Sequence, residues 1–203
     1  MTTILNKLVY IFNTEHVSIP TITPLRSKPA EIGEIIANFY LKADQGYWEG
    51  KPTFISHDNL ITEKQLFRKP LVLAFYSAEW KRHGLQQLKT LQALQKDINI
   101  LGGQLLVISD ADLRSLRQLI VDHNLSLNIY ADPQNILAEN LGIFNAADPI
   151  YNRISGIDNN APLLATYVVT PTRKIAFRFI DTQDDSFPAE KLLASIVISA
   201  TNS

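Results

Sequence analysis

Cysteine is absent from all 203 residues. No disulfide, thiolate nucleophile, iron–sulfur cluster or Cys-ligated zinc can therefore form. Glycine and proline are sparse, at 8 and 10 residues, which excludes collagen-like and low-complexity chains. An excess of one charge is missing too, since 19 Lys and Arg face 20 Asp and Glu for a formal net charge of −1. Such a chain lacks the long-range attraction of a nucleic-acid or membrane-surface binder. No apolar run approaches the ~20 residues of a membrane helix. The run from Leu8 to Phe12 is short, stands between Lys7 and Glu15, and has no small-residue cleavage site after it. The expectation is a soluble, cytoplasmic protein with no nucleic-acid or membrane partner, and the missing cysteine fits that compartment.

Several catalytic signatures are also missing. There is no Gly-x-Ser-x-Gly elbow, Gly-rich phosphate loop or His-Glu-x-x-His pair. The four histidines, His16, His57, His83 and His123, are too scattered for a local metal motif, and no cofactor is expected. His123 follows a helical stretch and is expected to cap it. Ser77 has no identified base and is expected to be a loop hydroxyl.

What remains is an ordinary globular composition, 46% apolar and 19% charged, enough for one domain with an extra arm. From Ser27 to Asp44, residues Ile32, Ile35, Ile36, Phe39, Tyr40 and Ala43 recur at steps of three and four, which predicts an amphipathic helix closed by Gly46. This helix would form an arm over residues 1–46, with the domain proper over 47–203. Residues 47–69 read as short strands and turns. Then Leu71-Val-Leu-Ala-Phe-Tyr76 is a buried strand, and Leu85, Leu88, Leu91, Leu94 and Ile98 mark a helix ending before Gly102. Leu105 to Ile108 is a second strand, Leu113 to Ile120 a second helix, Leu127 to Tyr130 a third strand, and Ile136 to Leu141 a short helix stopped at Gly142. A loop rich in Asn, Asp and Pro runs from Asn145 to Pro162 and reads as a lid, an insertion or an interface. Tyr167 to Val169 and Ile175 to Ile180 flank Thr170-Pro-Thr-Arg173 as a hairpin, and Pro188 opens a last helix. The order predicts an α/β three-layer sandwich with a mixed central sheet, parallel first and antiparallel last.

That is the thioredoxin order, and three strings sharpen it. Lys69-Pro-Leu-Val-Leu-Ala-Phe-Tyr-Ser-Ala-Glu-Trp80 resembles the first core strand and catalytic loop of the alkyl hydroperoxide reductase/thiol-specific antioxidant family, the peroxiredoxins. Tyr130-Ala-Asp-Pro through Gly142-Ile143 is similar to that family's Asp-Pro turn and helix, and Ala165-Thr-Tyr-Val-Val169 to its Ala-Thr strand. The resemblance spans about residues 50–198 and implies a thioredoxin-like fold, thiol peroxidase ancestry and a tendency to pair.

Carried over residue by residue, the family's chemistry fails. The peroxidatic cysteine falls on Lys81 and the second cysteine on Gly84. The hydroxyl that relatives place three residues before the thiol falls on Ala78, and the Pro or Arg before the Ala-Thr strand on Leu164. A peroxidatic thiolate attacks an O–O bond and becomes a sulfenic acid, which neither an ammonium nor a glycine can do. Lys81, Arg82 and His83 would then stand at a helix N-terminus, where free amides and the positive helix end favour an anion. The plain reading is solvated side chains on a lapsed site, with Glu79 as the expected partner of the cations. Tyr76 and Trp80 are candidate pocket walls, counted as packing unless a cleft opens beside them. Arg114, Arg117, Arg173, Lys174 and Arg178, with Asp110 and Asp112 nearby, read as a solvated, ion-paired face.

Two function classes stay open. One is a redox-inactive domain acting by binding a protein partner or by assembly, with a homodimer expected. The other is an enzyme or small-molecule binder that reuses the ancestral pocket for a small anion at Lys81 and Arg82.

Overall fold

The computed structural model describes residues 28–49, 59–183 and 186–201. His16, His57 and Ser27 lie outside the described residues, as does most of the expected arm.

In chain order the strands and helices are β1 (Leu41–Lys42), β2 (Gly46–Tyr47), β3 (Leu60–Ile61), α1 (Glu63–Leu66), β4 (Leu71–Tyr76), α2 (Lys81–Ile100) and β5 (Gln104–Ser109). There follow α3 (Leu113–His123), β6 (Ile129–Ala131), α4 (Ile136–Asn140), β7 (Ala165–Val169), β8 (Ile175–Ile180) and α5 (Ala189–Thr201). The main sheet has six strands in the order β2-β6-β5-β4-β7-β8. β4, β5 and β6 are parallel, while β7, β8 and β2 run antiparallel to their neighbours. A separate pair, β1 with β3, sets Leu41 against Ile61.

β4 lies between β5 and β7, and all six of its residues are buried. Its uninterrupted apolar sequence is what a strand covered on both faces requires. Alternation divides its side chains between two cores. Val72, Ala74 and Tyr76 face Leu88 and Leu91 of α2, Leu116 of α3 and Leu192 and Ile196 of α5. Leu71, Leu73 and Phe75 face the other way, into a core built with Ile36, Leu41, Ile61, Leu137 of α4 and Ile150 and Ile157 of the long loop. The two cores and the sheet between them make the expected three layers.

Local chemistry sets the helix ends. Asp112 Oδ1 accepts from Ser115 N at 2.7 Å to start α3, and the Asp132 carboxylate takes the amides of Ile136 and Leu137 at the start of α4. α3 ends at Asn124, which adopts the left-handed conformation at φ 49 and sends its N–H back to Ile120 and Val121. Capping thus belongs to Asn124 rather than to His123, which is the last residue of the helix.

The amphipathic helix expected between Ser27 and Asp44 is not there. Residues 28–40 contain no helix, and Ala43–Gln45 form one 3₁₀ turn. The backbone finds its partners in distant chain instead. Ala30 N donates to Leu141 O, Gly33 N to Ile175 O and Ile36 N to Arg173 O, while Ile175 N donates to Glu34 O. Gly33 sits at φ +97, and β-branched Ile32, Ile35 and Ile36 suit an extended edge better than a helix. Ile36 turns inward, but Ile32 and Ile35 remain 62% and 67% exposed, so the three-four spacing never became one buried face. Leu41 and Ala43 share the core of Leu73 and Phe75, and β2 begins at Gly46 to pair with β6.

Gly142 shows how tightly this segment is seated. It takes φ +64, and a Cβ there would run into the carbonyl oxygen of Lys28. Gly142→Ala therefore combines left-handed strain of about 1–2 kcal/mol with overpacking of about 1–3 kcal/mol. Urea unfolding should show a loss of about 2–5 kcal/mol, and an unchanged midpoint would mean that Lys28 moves aside freely.

Candidate functional site

The site that the sequence points to lies where β4 ends and α2 begins. A short 3₁₀ turn over Ala78–Trp80 joins them, with the Ser77 hydroxyl accepting from Glu79 N at 3.2 Å. Ser77 is buried and serves as a cap, as a serine without a base should. Lys81 opens α2 with φ 49 and ψ −130, a conformation strained for any residue but glycine. Its own amide returns to Ala78 O, so fewer free N–H groups face outward there than an ideal helix start would offer.

Three consecutive residues bind this corner to the long loop. Glu79 Oε1 accepts from Asn159 Nδ2 at 2.9 Å and Oε2 from Asn159 N at 3.3 Å. The Trp80 indole N–H donates to Pro162 O at 2.8 Å, and the ring is buried. Lys81 Nζ meets Asp158 Oδ2 at 2.8 Å. The expected Lys81–Glu79 partnership is thus corrected: Lys81 takes Asp158, and Glu79 takes Asn159. Both members of the Lys81–Asp158 pair are exposed, so the pair is worth no more than about 1 kcal/mol. The buried indole bond contributes more, because breaking it strands a carbonyl away from water.

His83 reaches a different partner, its Nε2 lying 2.9 Å from Asp181 Oδ2. Arg82 is exposed. The structure therefore brings Lys81 and His83 to one corner but gives each a carboxylate. Glu79 and Asp110 add two more acidic groups there. These surroundings weigh against an added phosphate and would equally raise the pKa of a thiol at position 81.

Gly84 lies buried in the first turn of α2. A Cβ there would come 2.9 Å from Trp80 Cβ and 3.1 Å from Tyr76 Cε2. The missing side chain lets the helix close on the Tyr76 ring and the Trp80 Cβ, which is a packing reason for glycine, where a sequence reading sees only backbone access for a ligand. Tyr76 and Trp80 are both buried, and burial pushes the Tyr76 hydroxyl up to about 12. They act as packing. Leu164 is buried too, its carbonyl accepting from Asp181 N at 2.8 Å. The residues that sequence reasoning missed are Asp158, Asn159, Pro162 and Asp181. The Asn- and Asp-rich composition of the loop was the one signal for the first two.

Of the scattered basic residues, Arg178 pairs with Glu31 at 2.9 Å and Arg173 with Glu63 at 3.9 Å, rather than with Asp110 or Asp112. Among the described residues no His, Asp and Glu grouping could hold a metal ion, and no helix is long and apolar enough to cross a membrane.

A parallel β4-β5-β6 unit with a hairpin added antiparallel, and a long helix opening at the end of the central strand, define a thioredoxin-like protein of the peroxiredoxin type. The sequence profile of the AhpC/TSA family matches residues 32–178, and the chain belongs to that family. Solved structures agree on the fold. The chain is similar to the peroxidoxin BcpB of Mycobacterium tuberculosis at 18% identity and TM-score 0.61, covering 82% of this chain and 96% of that one. It is similar to the AhpC of Enterococcus faecalis at 17% identity and TM-score 0.62, with 84% and 92% covered. A variant of PrxQ from Xylella fastidiosa gives 15% identity and TM-score 0.60, with 87% and 99% covered. No curated protein sequence matches the chain.

Asp110, at the end of β5, carries the clearest electrostatic signature. Burial pushes its carboxyl from 3.8 up to about 6, helped by the Glu79 and Asp132 charges and opposed by a hydrogen bond from Ser77. Between those values the folded chain holds a proton that the unfolded chain has lost, so stability falls as pH rises from 3.8 to about 6. Asp110→Asn cannot ionise and should gain about 1–3 kcal/mol at neutral to basic pH, with little gain near pH 3.5. Thermal unfolding across that range checks both the sign and the window.

Proposed function

We propose that this protein is a redox-inactive member of the AhpC/TSA family that acts in the cytoplasm by binding or assembly. The observation that carries the reading is the closed corner itself. Where relatives place a thiol, this chain has a lysine tied to Asp158, a buried tryptophan tied to Pro162 and a glycine whose Cβ position is already taken. Selection for peroxide chemistry would not leave these positions filled by groups unable to accept an oxygen atom.

Purified protein should consume no hydrogen peroxide with thioredoxin or dithiothreitol beyond the buffer rate. Lys81→Cys alone should stay within about tenfold of that rate. The new thiol would lie among Glu79, Asp110 and Asp158, and Leu164 offers no donor to the developing charge. Vigorous turnover by the unaltered chain, proportional to its concentration, would sink the reading.

Assembly as a homodimer is the second part of the proposal. It is supported by the pairing common in the family and by the apolar side chains left uncovered on the N-terminal segment, Ile32, Ile35 and Tyr40. Light scattering at micromolar concentration should give about twice the chain mass of 22.8 kDa, and a value of one chain mass would remove it.

A further inference from the structure

The N-terminal segment, the turn between β7 and β8 and the last turns of α5 enclose an open groove of about 410 Å³. It lies at the end of the sheet opposite to the Trp80 corner, where Val169 pairs with Leu71 at the start of β4. Ile32 and Gly33 line it from the first segment, Thr172, Lys174 and Ala176 from the hairpin, and Ile198 from α5. Backbone bonds hold the first two walls together, Gly33 N donating to Ile175 O at 2.8 Å and Ile175 N to Glu34 O at 2.9 Å. The volume lies within the range of small-molecule sites.

Two features of this groove ask for opposite kinds of contact. Ile32 and Ile198 are 62% and 60% exposed, so its walls leave apolar surface in water that an alkyl chain would cover. Lys174 is the one charged side chain in the lining. Its neighbours on the hairpin each have a carboxylate, Arg173 from Glu63 and Arg178 from Glu31, but among the described residues the Lys174 ammonium has none within 4.0 Å. The Glu34 carboxylate accepts from Glu31 N at 2.9 Å and takes no part in the lining. Lys174 Cε stands 3.8 Å from where a Cβ on Gly33 would project, so the stem rests on the bare backbone of the wall and the head stays in water. Beside it Thr170 Oγ1 and Thr172 Oγ1 are 2.9 Å apart, and Thr170 Oγ1 also accepts from Lys174 N at 3.0 Å. One hydroxyl proton bridges that pair, which leaves the other for a ligand oxygen.

We propose that this groove binds a single-chain aliphatic carboxylate of medium length. The alkyl chain would lie along Ile32, Ala176 and Ile198, and the carboxylate would meet Lys174 Nζ and the free threonine proton. A neutral amphiphile would leave the ammonium without a partner, and a cationic one would be repelled by it. No aromatic ring lines the groove, which favours a flexible chain over a flat ring.

The inference goes beyond the redox-inactive reading, since peroxide turnover and chain association are both measured without such a ligand. Its test follows the backbone amides of the full chain by NMR during titration with hexanoate, heptanoate, octanoate and octanamide. Octanoate should move the amides of Gly33, Lys174, Ala176 and Ile198 saturably, with Kd about 0.1–3 mM. Each CH₂ added from hexanoate to octanoate should tighten binding about two- to fourfold. Octanamide, equal in length but uncharged, should bind about threefold or more weakly than octanoate, and Lys174→Gln should erase that difference. Ile198→Ser should weaken octanoate and octanamide alike, by about threefold or more. Both variants replace exposed side chains and should fold as the parent does. No saturation by ~20 mM octanoate, no gain with chain length, or a preference for octanoate that persists in Lys174→Gln would overturn the proposal. Shifts of the same four amides that follow protein concentration and block octanoate would assign the groove to a second copy of the chain, and would overturn it too. The peroxide assay and the ligand-free light scattering stand apart from all of these results.

Discussion

Burial of β4 on both faces is the constraint on which everything else hangs. Six consecutive residues without a charge or a turn former must be covered above and below, and only a layer on each side of the sheet can do that. The long helices α2, α3 and α5 supply one cover. The other is assembled from pieces with little helix of their own, namely residues 28–49, α1, α4 and the loop from Asn145 to Pro162. The asymmetry matters for the site, because the pieces on the second face have to be tied in individually. Glu79, Trp80 and Lys81 make three of those ties at the point where β4 hands over to α2.

At that corner structural and chemical demands exclude each other. A thiolate needs a helix N-terminus with free amides, few neighbouring carboxylates and room for a peroxide. Here the first amide is spent on Ala78, the surroundings are acidic, and the Tyr76 ring and the Trp80 Cβ close on Gly84. The same corner that joins β4 to α2 here holds the long loop. Lys81 takes up strain at that junction, with φ at 49.

Legibility followed the range of the interactions. β4, α2, β5, α3, β7, β8 and α5 could be read because each carries its own pattern, a buried run or one apolar stripe, and the order of these elements was enough for the layer arrangement and the family. The segment from Lys28 to Tyr40 could not, because its hydrogen bonds lie in Leu141, Arg173 and Ile175, far away in sequence. Its isoleucines recur at helical spacing, but edge pairing with the hairpin overrides that local signal. The same holds for the site. Positions 78, 81, 84 and 164 are picked out by their place in strings that resemble the family's, whereas the partners Asp158, Pro162 and Asp181 come from loops and strand ends whose approach no local pattern encodes. Glycine at position 84 is the instructive case: its presence was visible, but its reason lies partly in the Tyr76 ring of β4, which reaches it only once the helix has docked.

The pairing of Ile35 with Lys174 and of Gly46 with Tyr130 has a kinetic side. Both contacts join an early part of the chain to a late one, and both are made at the two flanks of the sheet, along β8 and β6. During synthesis the early segment emerges long before its partners, and during refolding these wide loops close late. Until Gly46 pairs, the outer edge of β6 offers unpaired backbone to any neighbouring chain. β8 stays the other edge of the sheet, met by the early segment only at its start, so covering of the β6 side waits on a long-range contact and crowding by sister chains is most hazardous before it forms.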